Sequence, residues 1–250
     1  MSLVTAAFIL VVAFITSAVS GVFGMAGGLM LMGALAIVLP VSAAFVAHGL
    51  IQLTANGWRA VLHRKHVQWK IVGLYAIASF VAGLLVSTLS FTPSKPFLFL
   101  ALGLVPGILW LPKAWIRLDA AKPFHALTSG FLVTALNLLA GVAGPLLDIF
   151  FVRTALNRHQ IVATKAATQV FAHLAKIVVY GAPLIAAKGL PASFYWVIVA
   201  AVPLSMLGTV VGGRILDRMS DKGFLTWTRY IVTGIGVVYL IQFLGLVLKE

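Results

Sequence analysis

The sequence predicts an all-α integral membrane protein built as two inverted repeats of about five segments each, giving 8–10 membrane helices, some short or broken at Gly-rich turns. Three observations lead there. Of 250 residues, 62% are hydrophobic and 9% charged, where a soluble domain carries roughly a quarter charged residues. That much apolar surface needs a bilayer as its solvent. Apolar runs also divide the chain into ten segments. Finally, displacing the chain by 117 residues without a gap lays Gly24, Gly27, Gln52 and Ala55 on Gly141, Gly144, Gln169 and Ala172. His48, Asn56 and Arg59 then fall on Lys165, His173 and Lys176. The units are residues 1–117 and 118–250.

In the first unit the segments are 3–22, 26–39, 42–62, 71–91 and 97–111. Segment 3–22 is read as a membrane segment and not a cleaved leader, because no basic stretch precedes it. Segment 26–39 follows the turn Gly24-Met25-Ala26-Gly27-Gly28 and falls short of the roughly 20 helical residues a bilayer requires. It is expected as a half-helix starting near the midplane. In the second unit the segments are 124–140, 145–156, 160–181, 192–212 and 224–248. Segment 145–156 is the second half-helix, with Pro145 suited to a first helical turn. Segment 97–111 is short where its counterpart 224–248 is long, an asymmetry the sequence does not account for.

The loops fix an expected orientation. Arg64, Lys65 and Lys70; Lys113, Arg117 and Lys122; Arg153 and Arg158; and Arg214, Arg218 and Lys222 all fall on loops of one parity. The opposite side holds Lys95, Lys188 and Lys249. The positive-inside rule makes the crowded side cytoplasmic and puts both termini outside. Tryptophans at 58, 69, 110, 115, 196 and 227 mostly lie near segment ends, as interfacial anchors do. Five segments per unit is odd, so the second copy enters upside down, with substrate expected near the midplane between the halves. The two glycine turns would bring two helix N-termini, each with unpaired N–H groups, towards each other.

The stretches SGVFGMAGG and GVAGP…VATKAATQVFAHLAKIVVYG resemble the TauE/SafE family of membrane transporters, also described as sulfite exporters. The resemblance extends over essentially the whole chain. It implies export of sulfite, sulfoacetate or a related organosulfonate across the bacterial inner membrane. The sequence departs from the expected pattern at Met25-Ala26, and Pro145 and Asp148 stand where the first unit has Gly28 and Leu31.

The candidate substrate-binding residues follow from the repeat. His48, Gln52, Asn56 and Arg59 fall within one quarter of a helix surface at about 100° per residue. Lys165, Gln169, His173 and Lys176 repeat the stripe. Gln52 and Gln169 lead, since an amide can donate two hydrogen bonds to a sulfite or sulfonate oxygen; the competing reading is that they bond across helices. His173 is a donor, a proton carrier or a packing histidine. Arg59 and Lys165 sit near segment ends, where a cation can also snorkel, whereas Lys176 lies deeper. Gly24, Gly27, Gly28 and Gly144 complete the set through their helix N-termini. Asp148, an acid within an apolar run, either couples transport to protons, alongside His173, or forms a fixed ion pair with Lys165 or Lys176. GxxxG spacings such as Gly24–Gly28, Gly103–Gly107 and Gly208–Gly212 are read as close helix packing.

No cofactor and no metal are expected. The chain has no cysteine, and His63 and His66 bracket two cations, which discourages a metal. With most of its basic residues in short loops, a net charge of +13 argues against nucleic acid as a partner. The expected partners are a small anion and the lipid bilayer, with a homo-oligomer left open. An integral-membrane enzyme would need nucleophile–base or paired-carboxylate constellations, for which there is little material. A carrier or channel for another small anion, such as a carboxylate, could use the same site.

Overall fold

The computed structural model describes residues 1–89, 91–112, 118–151, 153–187 and 189–248, without the side chains of 221–225. Among these residues there are helices and no strand. The first half holds α1 (Leu3–Phe23), α2 (Met25–Val38), α3 (Val41–Leu62), α4 (Trp69–Ser87) and α5 (Lys95–Leu104). The second holds α6 (Pro123–Ala140), α7 (Gly144–Phe151), α8 (Arg158–Ala186), α9 (Ala192–Leu216) and α10 (Asp221–Val247). Among the described residues six helices are long and apolar enough to cross a membrane: α1, α4, α6, α8, α9 and most of α10. With 22 residues α3 has the length, but its polar stripe takes it below that apolarity.

The helix ends follow from local chemistry. The Ser2 hydroxyl accepts from the Thr5 N–H at the start of α1 (3.1 Å), and Ser94 caps α5 by accepting from Phe97 (3.3 Å). Asn157 and Gln160 form a reciprocal capping box that starts α8. Gly24 stops α1 at φ 64° and Gly141 stops α6 at φ 82°; an L side chain is strained in both conformations. The segment expected over 145–156 is helical only to Phe151. The short α5 runs on as a 3-10 stretch, Val105–Trp110, that contains Pro106. This proline cannot supply the N–H an α-helix would need there.

Glycines set the closest helix contacts. Gly21, Gly208 and Gly212 let α1 and α9 meet at backbone distance, and Gly130 does the same for α6 against Tyr75 on α4. Each of these pairs joins one helix of each half. α3 packs on α9 as α8 packs on α4, and α2 on α10 as α7 on the stretch after α5. α3 and α8 cross antiparallel: Val46 lies near Gly181, Gly49 on Ile177 and Gly57 near Val170. α5 and α10 also run antiparallel, with Phe99 beside Tyr239, Pro106 on Gly236 and Trp110 bonded to Thr233.

Four basic loops gather at one end of the bundle. Gln68 donates to Thr164 at the start of α8 (3.0 Å), and His66 lies against His159 (5.5 Å between rings). Arg158 reaches the Met219 carbonyl (3.1 Å), and the Ala120 N–H bonds the Phe150 carbonyl (2.7 Å). Met1 lies at the other end, its ammonium on Ser193 (3.2 Å). Among the cations used for orientation, Lys113, Arg117, Lys188 and Lys249 and the Lys222 side chain fall outside the described residues, as does Trp115.

Candidate functional site

The two glycine turns meet. Gly144, the first residue of α7, lies directly against Met25, the first residue of α2, so close that a β-carbon at 144 would overlap the Met25 side chain. Two helix N-termini thus abut, and first-turn N–H groups of a helix have no partners within it. Around this junction lies a cavity of about 890 Å³. Its walls come from both halves: the polar stripes of α3 and α8, the ends of α1 and α6, and the starts of α2 and α7. Asn157, Arg158 and His159 line its mouth, which places the opening at the basic end.

On α3 the stripe forms a bonded row. Arg59, 4% exposed, donates to the Ser20 hydroxyl (3.1 Å) and to Asn56 Oδ1 (3.5 Å). Asn56 Nδ2 in turn donates to the backbone carbonyl (3.0 Å) and Oε1 (3.1 Å) of Gln52. With its oxygen occupied, Gln52 presents Nε2 beside Gly28. His48 is fully engaged: Nε2 lies 3.1 Å from the Gly28 carbonyl and Nδ1 3.2 Å from Lys176 Nζ. A carbonyl only accepts, so the proton sits on Nε2 and Nδ1 accepts from the lysine.

The α8 stripe is used differently. Gln169 donates to the Tyr75 hydroxyl across the α4 interface (3.4 Å) while lining the cavity. His173 packs edge-on against His48 (5.4 Å), and its Nδ1 has no partner among the described residues. Lys165 is ion-paired with Asp148 on the cavity wall.

The cavity therefore brings together Gly24, Gly28, His48, Gln52, Asn56 and Arg59 with Gly144, Asp148, Lys165, Gln169 and His173. Two candidates lie apart from it. Gly27 is pressed against the Thr16 carbonyl and Ser20 and serves the α1–α2 packing. Lys176 is fully buried, its ammonium on the Gly141 carbonyl and His48, with the Phe45 ring 5.1 Å away. It ties α8 to α3 and to the end of α6, beyond the inner end of the cavity. Further out, the Tyr180 hydroxyl donates to the Leu138 carbonyl (2.6 Å), and its ring packs on Phe45 (4.5 Å).

Ser20 and Asn137 are among the lining residues that escaped the sequence reading. They occupy the same position in the two halves, four residues before Gly24 and Gly141. Carrying the 117-residue register upstream of the glycine turns would have found both.

A family model described as sulfite exporter TauE/SafE matches residues 9–240, nearly the whole chain. Comparison with curated proteins gives no match, and neither does comparison with solved structures.

Proposed function

The chain belongs to the sulfite exporter TauE/SafE family, and from this premise we propose that it is a secondary transporter exporting sulfite or a small organosulfonate by alternating access. The observation that carries the reading is the cavity itself. It reaches the basic end, receives a polar stripe from each half, and extends to the junction of two helix N-termini. Such a junction favours an anion. In it, Gln52 Nε2, the first-turn amides and the nearby Arg59 and Lys165 replace the anion's hydration shell. Asp148 and His173 are the groups able to carry a coupled proton.

The two halves are inverted copies in this reading. The exchange of packing partners between halves and the antiparallel crossing of α3 with α8 and of α5 with α10 support it. The protein then sits in the bacterial inner membrane with the basic loops in the cytoplasm and both termini outside. In that orientation the cavity faces the cytoplasm, as an exporter loading its substrate requires.

Uptake of labelled sulfite into inverted membrane vesicles tests this directly. Gln52→Ala and Gln169→Ala are each expected to cut the initial rate about tenfold, the worth of one hydrogen bond to a charged group. Full-rate uptake by both variants at equal membrane abundance would refute the assignment of the site. Competition by acetate as strong as by sulfite would favour a carboxylate carrier.

A further inference from the structure

Asn137 ends α6 one turn before Gly141, whose N–H bonds back to the Asn137 backbone carbonyl (3.1 Å). Its side chain is 1% exposed and lines the cavity, and neither Nδ2 nor Oδ1 has a partner among the described residues. Its counterpart in the first half is in the opposite condition. The Ser20 hydroxyl donates to the Gly24 carbonyl (2.6 Å) and accepts from Arg59 (3.1 Å), so its capacity is used within the protein. A buried amide with both ends bare is disfavoured unless water or a ligand completes it. His173 Nδ1, on the same cavity, is bare as well.

The chemistry of those bare atoms narrows the ligand. An amide offers donors on nitrogen and an acceptor on oxygen. A fully deprotonated oxyanion satisfies only the donors and sets its own oxygens against Oδ1. An oxyanion that keeps one O–H satisfies both ends. The inner end of the cavity also suits a single charge better than a double one, because Lys176 is already committed to Gly141 and His48. Beside Asn137 the lining includes the Gln52 amide and the His173 ring, neither of them a permanent cation.

Resting on the transporter reading, we infer that Asn137 contacts the substrate and selects a singly protonated oxyanion of the hydrogensulfite type. Nδ2 donates to a charged oxygen, and Oδ1 accepts the ligand's O–H.

The test is calorimetric titration of the purified full-length protein with two probes in mildly acidic buffer. One is sulfite, present there mainly as hydrogensulfite. The other is methanesulfonate, which carries the same single charge and no O–H. The wild type is expected to bind both and to prefer hydrogensulfite. Asn137→Leu removes both bonds to hydrogensulfite and only the donor to methanesulfonate, so it should weaken hydrogensulfite by about a hundredfold and methanesulfonate by about tenfold. The ligand-free variant should melt no lower than wild type, since it loses no internal hydrogen bond; a lower melting point would mark Asn137 as structural. Equal weakening of both probes, or of neither, overturns the inference and leaves the transporter reading standing. A wild type that binds neither probe overturns both. Should the leucine variant not insert, Asn137→Asp serves instead, because it removes the donor and adds repulsion. It should abolish binding of either anion, and undiminished binding overturns the inference.

Discussion

The guanidinium of Arg59 is the strut on which the amide row of α3 rests. Held by Ser20, it fixes Asn56, and Asn56 fixes the oxygen of Gln52 and so the direction of its N–H groups. Ser20→Ala removes the far anchor without touching the cavity's charge. It should raise the KM for sulfite in vesicle uptake by about fivefold, the effect of one hydrogen bond of modest strength. Arg59→Lys should do more, because an ammonium keeps the charge and loses the planar fork that holds two partners at once. An unchanged KM for both would mean that Gln52 needs no orienting row. The same residues show what spacing reveals and what it hides. Gln52, Asn56 and Arg59 were legible because 3.6-residue periodicity puts them on one face. Lys176 sits in register with Arg59, yet its long flexible side chain reaches back to Gly141 and His48. No periodicity foretells that reach. Gly27 likewise shares its spacing with Gly24 and Gly28 but is spent on packing against α1.

At the scale of the helix, glycine position separates packing from mere composition. Gly212 lies on the Ala18 carbonyl and on Gly21 across the α1–α9 seam, and Gly130 lies on the Tyr75 backbone across the α4–α6 seam. Backbone cannot move aside as a flexible side chain can. Gly212→Ala and Gly130→Ala should therefore each cost about 1–3 kcal/mol by overpacking, seen as a lower melting temperature in detergent. Gly245→Ala, where a β-carbon meets nothing within 4 Å, should be neutral or gain up to about 1 kcal/mol of helix propensity. Equal effects at all three positions would show that these seams are not where the halves are joined. Most helix limits were legible from hydropathy to within a few residues, since a bilayer demands long apolar runs. The exceptions are α7, described as helix to Phe151, and α5, which continues as a 3-10 stretch around Pro106. That proline packs on Gly236 of α10.

Over the whole molecule, the proposed alternating-access reading, with the exchange of packing partners between halves, gives an expectation for the opposite state. Here the cavity faces the basic end, where Ile161 on α8 lines it. The residue in register with Ile161 in the first half is Ala44 on α3, which is fully buried towards the other end. If the halves interchange conformations during transport, Ala44 takes the place of Ile161 and becomes wet from outside as Ile161 becomes dry. The chain contains no cysteine, so single-cysteine variants can be labelled without background. Ile161→Cys should react with a membrane-impermeant thiol reagent in inverted vesicles, and Ala44→Cys should be silent there. With sulfite turning over in right-side-out vesicles, Ala44→Cys should begin to react, while Ile161→Cys in inverted vesicles becomes slower. The two changes belong to one equilibrium, so a condition that raises one must lower the other. Reaction of Ala44→Cys without loss at Ile161 would describe a continuous channel, open at both ends, in place of a carrier. Ala44→Cys that stays silent while sulfite is transported would mean that the halves do not exchange roles.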